Sequence, residues 1–113
     1  MTDIWRANAK EEKSYWVFLY IAGNINSIEM ICREYVYMGL CVTVEPIKFI
    51  YTGGAEDGAR IGFIQYARFP NTTGKIFDHA IELGKIIAER NYQCSFTVLD
   101  PYSSVYFSNK DKK

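Results

Sequence analysis

Histidine, proline and net charge are all scarce in this chain. His79 is the only histidine in 113 residues, and Cys32, Cys41 and Cys94 form no C-x-x-C pair. The ligand spacing of a zinc site is therefore missing, and no metal is expected. An odd number of thiols without pairing motifs reads as reduced cysteines buried in a core. There is no G-x-x-x-x-G-K-[ST] run and no nucleophile elbow, so neither a cofactor nor a catalytic residue is expected. No apolar run approaches the roughly 18–20 residues of a membrane span. The polar opening MTDIWRANAKEEK lacks the apolar stretch of a secretion signal, which points to a cytoplasmic protein. Thirteen basic residues balance thirteen acidic ones, which argues against duplex DNA or a membrane surface as partner.

What the chain does have is apolar and aromatic material, 49% and 16% of its residues. That is enough for the core of one domain. Residues 1–13 read as an N-terminal tail anchored by Trp5, 14–107 as a single domain and 108–113 as a charged C-terminal tail. Tyr15–Ile21 alternates as a strand, with both faces apolar. Asn26 or Ser27 offers an N-cap for a helix to about Met38, closed by Gly39. Leu40–Val44 is a second strand, interrupted at Pro46 as an edge or bulged strand would be, and resuming over Ile47–Tyr51. A third strand is expected over Arg60–Phe69, with helix caps at Pro70–Thr73. Helical spacing runs from Gly74 to Arg90. Gln93–Leu99 is a fourth strand, and Val105–Phe107 a short returning one. The order β-α-β-β-α-β predicts an α+β, ferredoxin-like antiparallel sheet with two helices on one face.

In that arrangement the other sheet face is open, and the expected occupants are Trp16, Phe18, Tyr20, Ile61 and Phe63. A bare aromatic patch of this size is unusual on a monomer. The expected covers are a second copy in a homo-oligomer, the tail with Trp5, the C-terminal hairpin, or a bound partner. The strand pair also resembles the RNA-recognition motif. Leu19-Tyr20-Ile21-Ala22-Gly23 is similar to its strand-one motif, and Gly62-Phe63-Ile64-Gln65-Tyr66 to the end of its strand-three motif. The resemblance implies single-stranded RNA stacked on Tyr20 and Phe63. It departs from the motif at Ala59, Arg60 and Ile61, where a basic residue, glycine and a second aromatic belong.

The second candidate site is the stretch Tyr51-Thr52-Gly53-Gly54-Ala55-Glu56-Asp57-Gly58, read as a glycine-rich acidic loop. Glycines there would admit close backbone approach to a ligand, and Glu56, Asp57 and Arg60 would converge with Tyr51 across the hairpin. Asp78-His79 reads as a solvated helix face, since neighbours in a helix point apart. Cys41–Pro70, with its strand–TGG–strand–RFP pattern, resembles small uncharacterised tailed-bacteriophage proteins. That resemblance implies an accessory, anti-host-defence role in the host cytoplasm, binding and disabling a host component. The leading expectation is therefore a non-enzymatic binding protein that occupies a host protein or sequesters a small ligand. Single-stranded RNA binding and a small-molecule enzyme built on the acidic loop are the alternatives.

Overall fold

The computed structural model describes residues 3–65 and 73–110. The expected end of the third strand at Phe69, and the caps at Pro70–Thr72, lie outside the described residues. Asp3 caps a single helical turn, α1 (Ile4–Ala7). The domain then runs β1 (Trp16–Ala22), α2 (Ile25–Tyr35) with a 3-10 turn at Val36–Met38, β2 (Val42–Tyr51), β3 (Gly54–Ile64), α3 (Thr73–Arg90), β4 (Ser95–Leu99) and β5 (Ser104–Ser108). The strands form one sheet in the order β2-β3-β1-β4-β5, antiparallel at every pairing. This is the α+β, ferredoxin-like arrangement, with β5 added at one edge.

The local reasons lie in particular residues. Gly23, at φ 146, turns the chain out of β1. The Asn24 side chain then accepts from the Ser27 amide at 3.1 Å, so the cap is Asn24 rather than Asn26 or Ser27. Gly39 at φ 105 closes the helical segment as expected. Pro46 does not interrupt β2. The strand runs unbroken because it lies at the sheet edge, where a missing N–H can face outward.

Alternation in β1 buries Val17, Leu19 and Ile21 against the helices. Ile61 stands opposite Leu19 and Phe63 opposite Val17, so both join the same face. They are 0% and 2% exposed. This corrects their expected place on the open face. Strand parity is all or nothing, and β3 has the opposite parity to the one assumed. Ile28, Ile31 and Cys32 of α2, and Ile76, Ala80, Leu83 and Ile87 of α3, join the core with Ala59, Phe96 and Val98 of the sheet. Only Cys32 is the buried thiol expected; Cys41 and Cys94 are exposed. Burial pushes the Cys32 thiol up to about 11, with Glu29 adding to the effect. His79 is not simply solvated. Its Nδ1 lies 2.9 Å from the Tyr35 hydroxyl and joins α3 to α2.

α3 passes closest to β4 at Gly84. A Cβ there would lie 2.6–2.9 Å from three ring atoms of Phe96. That ring is itself stacked on Phe107 at 5.2 Å and has little room to yield. Gly84→Ala in an ordinary helix interior would stabilise by about 1 kcal/mol. Here it should destabilise by about 1–3 kcal/mol through overpacking, read as a lower urea midpoint; a raised midpoint would refute the contact.

Candidate functional site on the open sheet face

The face away from the helices carries Trp16, Phe18 and Tyr20 from β1, and they are half-buried. Register adds Arg60 opposite Tyr20 and Gly62 opposite Phe18. From β2, Glu45 stands opposite Arg60 and Thr43 opposite Gly62. The Trp16 and Phe18 rings are 5.3 Å apart at 43°. The Arg60 guanidinium lies over the Phe18 ring at 4.4 Å from its centroid. Its Nη2 donates to Glu45 Oε1 at 2.7 Å. Hydrogen bonds to Glu45 first, and then to Tyr20, hold the guanidinium pKa above its ordinary value. Arg60 Nε is enclosed and makes no hydrogen bond, a donor in search of an acceptor. The face is thus an aromatic surface carrying one cation and one carboxylate.

RNA stacking on Tyr20 and Phe63 is not available, because the two side chains lie on opposite faces of the sheet. Trp5 provides no cover; it is 86% exposed in α1. The C-terminal hairpin extends the sheet beyond β4 rather than folding over it.

The expected glycine-rich loop is mostly strand. Only Thr52 and Gly53 form the turn, with Gly53 at φ 85, and Tyr51 pairs directly with Gly54. The result is a long hairpin that outruns β1, whose last pair is Ala22 with Gly58. Four residues of each strand project, roughly 13 Å at 3.3 Å per residue. Successive amides in a strand point to opposite sides, so no anion nest forms. Nor do the acidic residues converge. Asp57 pairs with Lys48 at 3.4 Å on the helix side of the projecting arm. Glu56 shares the open side with Arg60 but lies four residues away, again roughly 13 Å.

A feature that sequence reasoning missed is the glycine spacing in β3. Gly54, Gly58 and Gly62 share the open face, and each is covered by a side chain from a neighbouring strand. A Cβ at Gly54 would lie 2.9 Å from the Tyr51 ring, while one at Gly58 would meet the Ile21 backbone oxygen at a clashing distance, the Phe49 ring at 2.6 Å and Ala22 Cα at 2.9 Å. At Gly62 it would meet Thr43 Oγ1 at a clashing distance and the Phe18 ring at 3.3 Å. The even spacing of four was the available signal, hidden because two of the glycines were assigned to a loop.

No family model and no curated protein sequence matches the chain. Two solved structures do match its fold. One is a phage SAM lyase in its apo state, with TM-score 0.69, 13% identity, 88% of this chain and 92% of that one covered. The other is a phage SAM lyase in complex with S-methyl-5'-thioadenosine, with TM-score 0.58, 12% identity, 94% of this chain and 98% of that one covered. Both are enzymes. This corrects the leading expectation of a non-enzymatic binding protein, which the two matches contradict. The resemblance to phage proteins agrees with the phage origin of both matches. No helix among the described residues is long and apolar enough to cross a membrane. Among the same residues, no three His, Cys, Asp or Glu side chains gather as a metal site.

A second concavity, about 680 Å³, opens at the opposite end of β1, lined by Lys13, Tyr15, Phe77, Asp78, Asp100 and Tyr102 among others. Its polar centre is already satisfied. The Tyr15 hydroxyl donates to Asp100 Oδ2 at 2.8 Å, while the amides of Tyr102 and Ser103 donate to Oδ1 at 2.9 and 2.7 Å. The cluster staples the β4–β5 turn to the start of β1. Burial and the hydrogen bond to Asp100 push the Tyr15 phenol up to about 12. Burial alone would raise the Asp100 carboxyl. The Tyr102 amide, the Tyr15 hydroxyl and the Ser103 donors outweigh it and hold the pKa below the usual carboxylate value. A depressed carboxyl stabilises the fold above its unfolded pKa, about 3.9, and loses that contribution as pH falls through the folded value. The stability advantage of wild type over Asp100→Asn should therefore be full at pH 7 and reduced at pH 3 in urea titrations; an equal difference at both would contradict the staple.

Proposed function

We propose that the chain is an enzyme that cleaves S-adenosylmethionine and releases S-methyl-5'-thioadenosine. The observation that carries this reading is the fold shared with two phage SAM lyases over most of the chain, one of them holding that thioether. The open sheet face supports it chemically. The substrate is a sulfonium cation, and aromatic rings attract cations through their negative faces. Phe18 already holds one cation, Arg60. Trp16, Phe18 and Tyr20 would take the sulfonium, with Glu45 balancing its charge. Arg60, whose side chain keeps 32% of its surface exposed, would receive the substrate carboxylate. Glu56, with Tyr51 and the Thr52-Gly53-Gly54 tip, would contribute along the arm that continues this face; Asp57, on the far side, would hold the arm through Lys48.

A lyase breaks the carbon–sulfur bond without adding water. The bonding pair leaves with sulfur, which becomes a neutral thioether. The four-carbon fragment completes its valence by losing a proton to a base or by internal attack of its own carboxylate. In either route the sulfonium charge disappears on the way to the transition state. A surface poor in water disfavours the charged substrate more than the discharging transition state. The aromatic rings of β1 would provide such a surface where the bound substrate covers them. An acidic, water-lined cleft would not.

Purified protein incubated with S-adenosylmethionine should release S-methyl-5'-thioadenosine, detected by chromatography. Glu45→Gln and Phe18→Ala should each lower kcat/KM at least tenfold, about 1.4 kcal/mol of transition-state stabilisation, with the circular dichroism spectrum unchanged. No product from wild type, together with no calorimetric binding of S-methyl-5'-thioadenosine at millimolar concentration, would overturn the proposal.

A further inference from the structure

We propose that the Arg60–Glu45 pair is a lock that selects ligands by exchanging ion pairs: it opens to a molecule carrying both a cation and a carboxylate, and stays closed to one carrying either alone. The inference rests on the reading of the chain as an enzyme acting on S-adenosylmethionine and deepens it to specificity. Strand alternation sorts the charges of the sheet. On the open face of the five strands the charged side chains are Arg60, Glu45 and Glu56, with none from β1, β4 or β5. Among the described residues of that face, Arg60 is therefore the one cation.

Arg60 sits where a ligand cation would sit. Its guanidinium lies 4.4 Å from the Phe18 centroid, and its Nη2 donates to Glu45 Oε1 at 2.7 Å. A ring face and a carboxylate are what a sulfonium would use, and a side chain of the protein occupies both. Among the described residues, neither Arg60 nor Glu45 makes a second ion pair. The seat is shallow, since the two side chains keep 32% and 50% of their surface exposed. It is also incomplete, because Arg60 Nε is enclosed without an acceptor. A rotamer-rich side chain held this way can turn aside while β3 keeps its register.

Charge counting decides what opens the pair. A cation that displaces the guanidinium from Phe18 and Glu45 leaves Arg60 unpaired beside a like charge, and the two repel. The other carboxylate of the face, Glu56, is roughly 13 Å along β3 and offers no nearby substitute. A carboxylate alone draws Arg60 away and leaves its own charge beside an unpaired Glu45. A ligand with both groups turns one ion pair into two. Its cation takes Phe18 and Glu45, and its carboxylate takes Arg60. S-adenosylmethionine has both groups. S-methyl-5'-thioadenosine has neither, so Arg60 returns to its seat as the thioether forms, and product release is favoured.

Calorimetry with three probes separates this exchange from a merely structural Arg60. Sinefungin carries a carboxylate and an ammonium in place of the sulfonium. S-adenosylhomocysteine carries the carboxylate on a molecule with neutral sulfur. Decarboxylated S-adenosylmethionine carries the sulfonium without the carboxylate. Wild type should bind sinefungin about tenfold tighter than either of the others. In Arg60→Gln no guanidinium has to leave Glu45. Decarboxylated S-adenosylmethionine should then bind about tenfold tighter than it does to wild type, and the preference for sinefungin over it should vanish. The mirror variant Glu45→Gln frees the guanidinium and should bind S-adenosylhomocysteine about tenfold tighter than wild type does. Circular dichroism checks that each variant is folded. A bracing role for Arg60 predicts instead that all three probes weaken together in both variants, and that result would overturn the lock. So would a wild type that binds the three alike. No binding of any probe by any of the proteins, with no S-methyl-5'-thioadenosine released from S-adenosylmethionine, would overturn the underlying reading and the lock with it.

Discussion

One register decides the molecule: Leu19 opposite Ile61, and therefore Tyr20 opposite Arg60. Because side chains alternate, that single pairing sorts every residue of the central strands onto one face or the other. It sends Val17, Leu19, Ile21, Ile61 and Phe63 inward, where full burial of an apolar side chain is worth about 1.5–3 kcal/mol. It simultaneously assembles Phe18, Tyr20, Arg60 and Glu45 outside. Shifting β3 by one residue would bury the guanidinium and expose the core. Stability therefore guards the arrangement of the open face, and the two faces cannot be varied separately.

The architecture was largely legible in the sequence because it depends on coarse signals. Tyr15–Ile21 alternates, Gly74–Arg90 repeats at helical spacing, and Gly39 stops a helix; each feature speaks for itself. The site was only half legible because it depends on relations between strands. Trp16, Phe18 and Tyr20 were found on one strand by alternation alone. Which residues of β3 accompany them depends on parity, and parity is set by the core rather than by β3 itself. With a buried Phe63 and a half-exposed Arg60, β3 reads ambiguously in isolation. Glu45 was missed because Pro46 made β2 look broken there. The TGGAEDG stretch was misread for a related reason: glycine and acidic residues usually mark loops, but here long pairing with β2 overrides that preference.

The face, the arm and the edge have separate physical characters. The open face brings aromatic rings and paired charges together. The arm extends that face beyond the body of the sheet, so the surface available to a ligand is larger than the sheet beneath it. The β5 edge lies across β4 from the aromatic strand β1 and, among the described residues, pairs on one side only.

The glycine column of β3 has a consequence for how such a chain can change. At Gly54, Gly58 and Gly62 even a methyl group would meet a neighbour at a clashing distance. Most positions in an outward-facing strand accept many residues, but Gly58, closed by the backbone of β1, accepts essentially one. At Gly54 and Gly62 the covering atoms belong to side chains, Tyr51 and Thr43 with Phe18, whereas at Gly58 the nearest is the Ile21 backbone oxygen. The outer surface is thus a relief whose low points are fixed and whose high points can be exchanged. New recognition properties could enter by replacing a ring on β1 or β2, while β3 stays the same blank ground beneath.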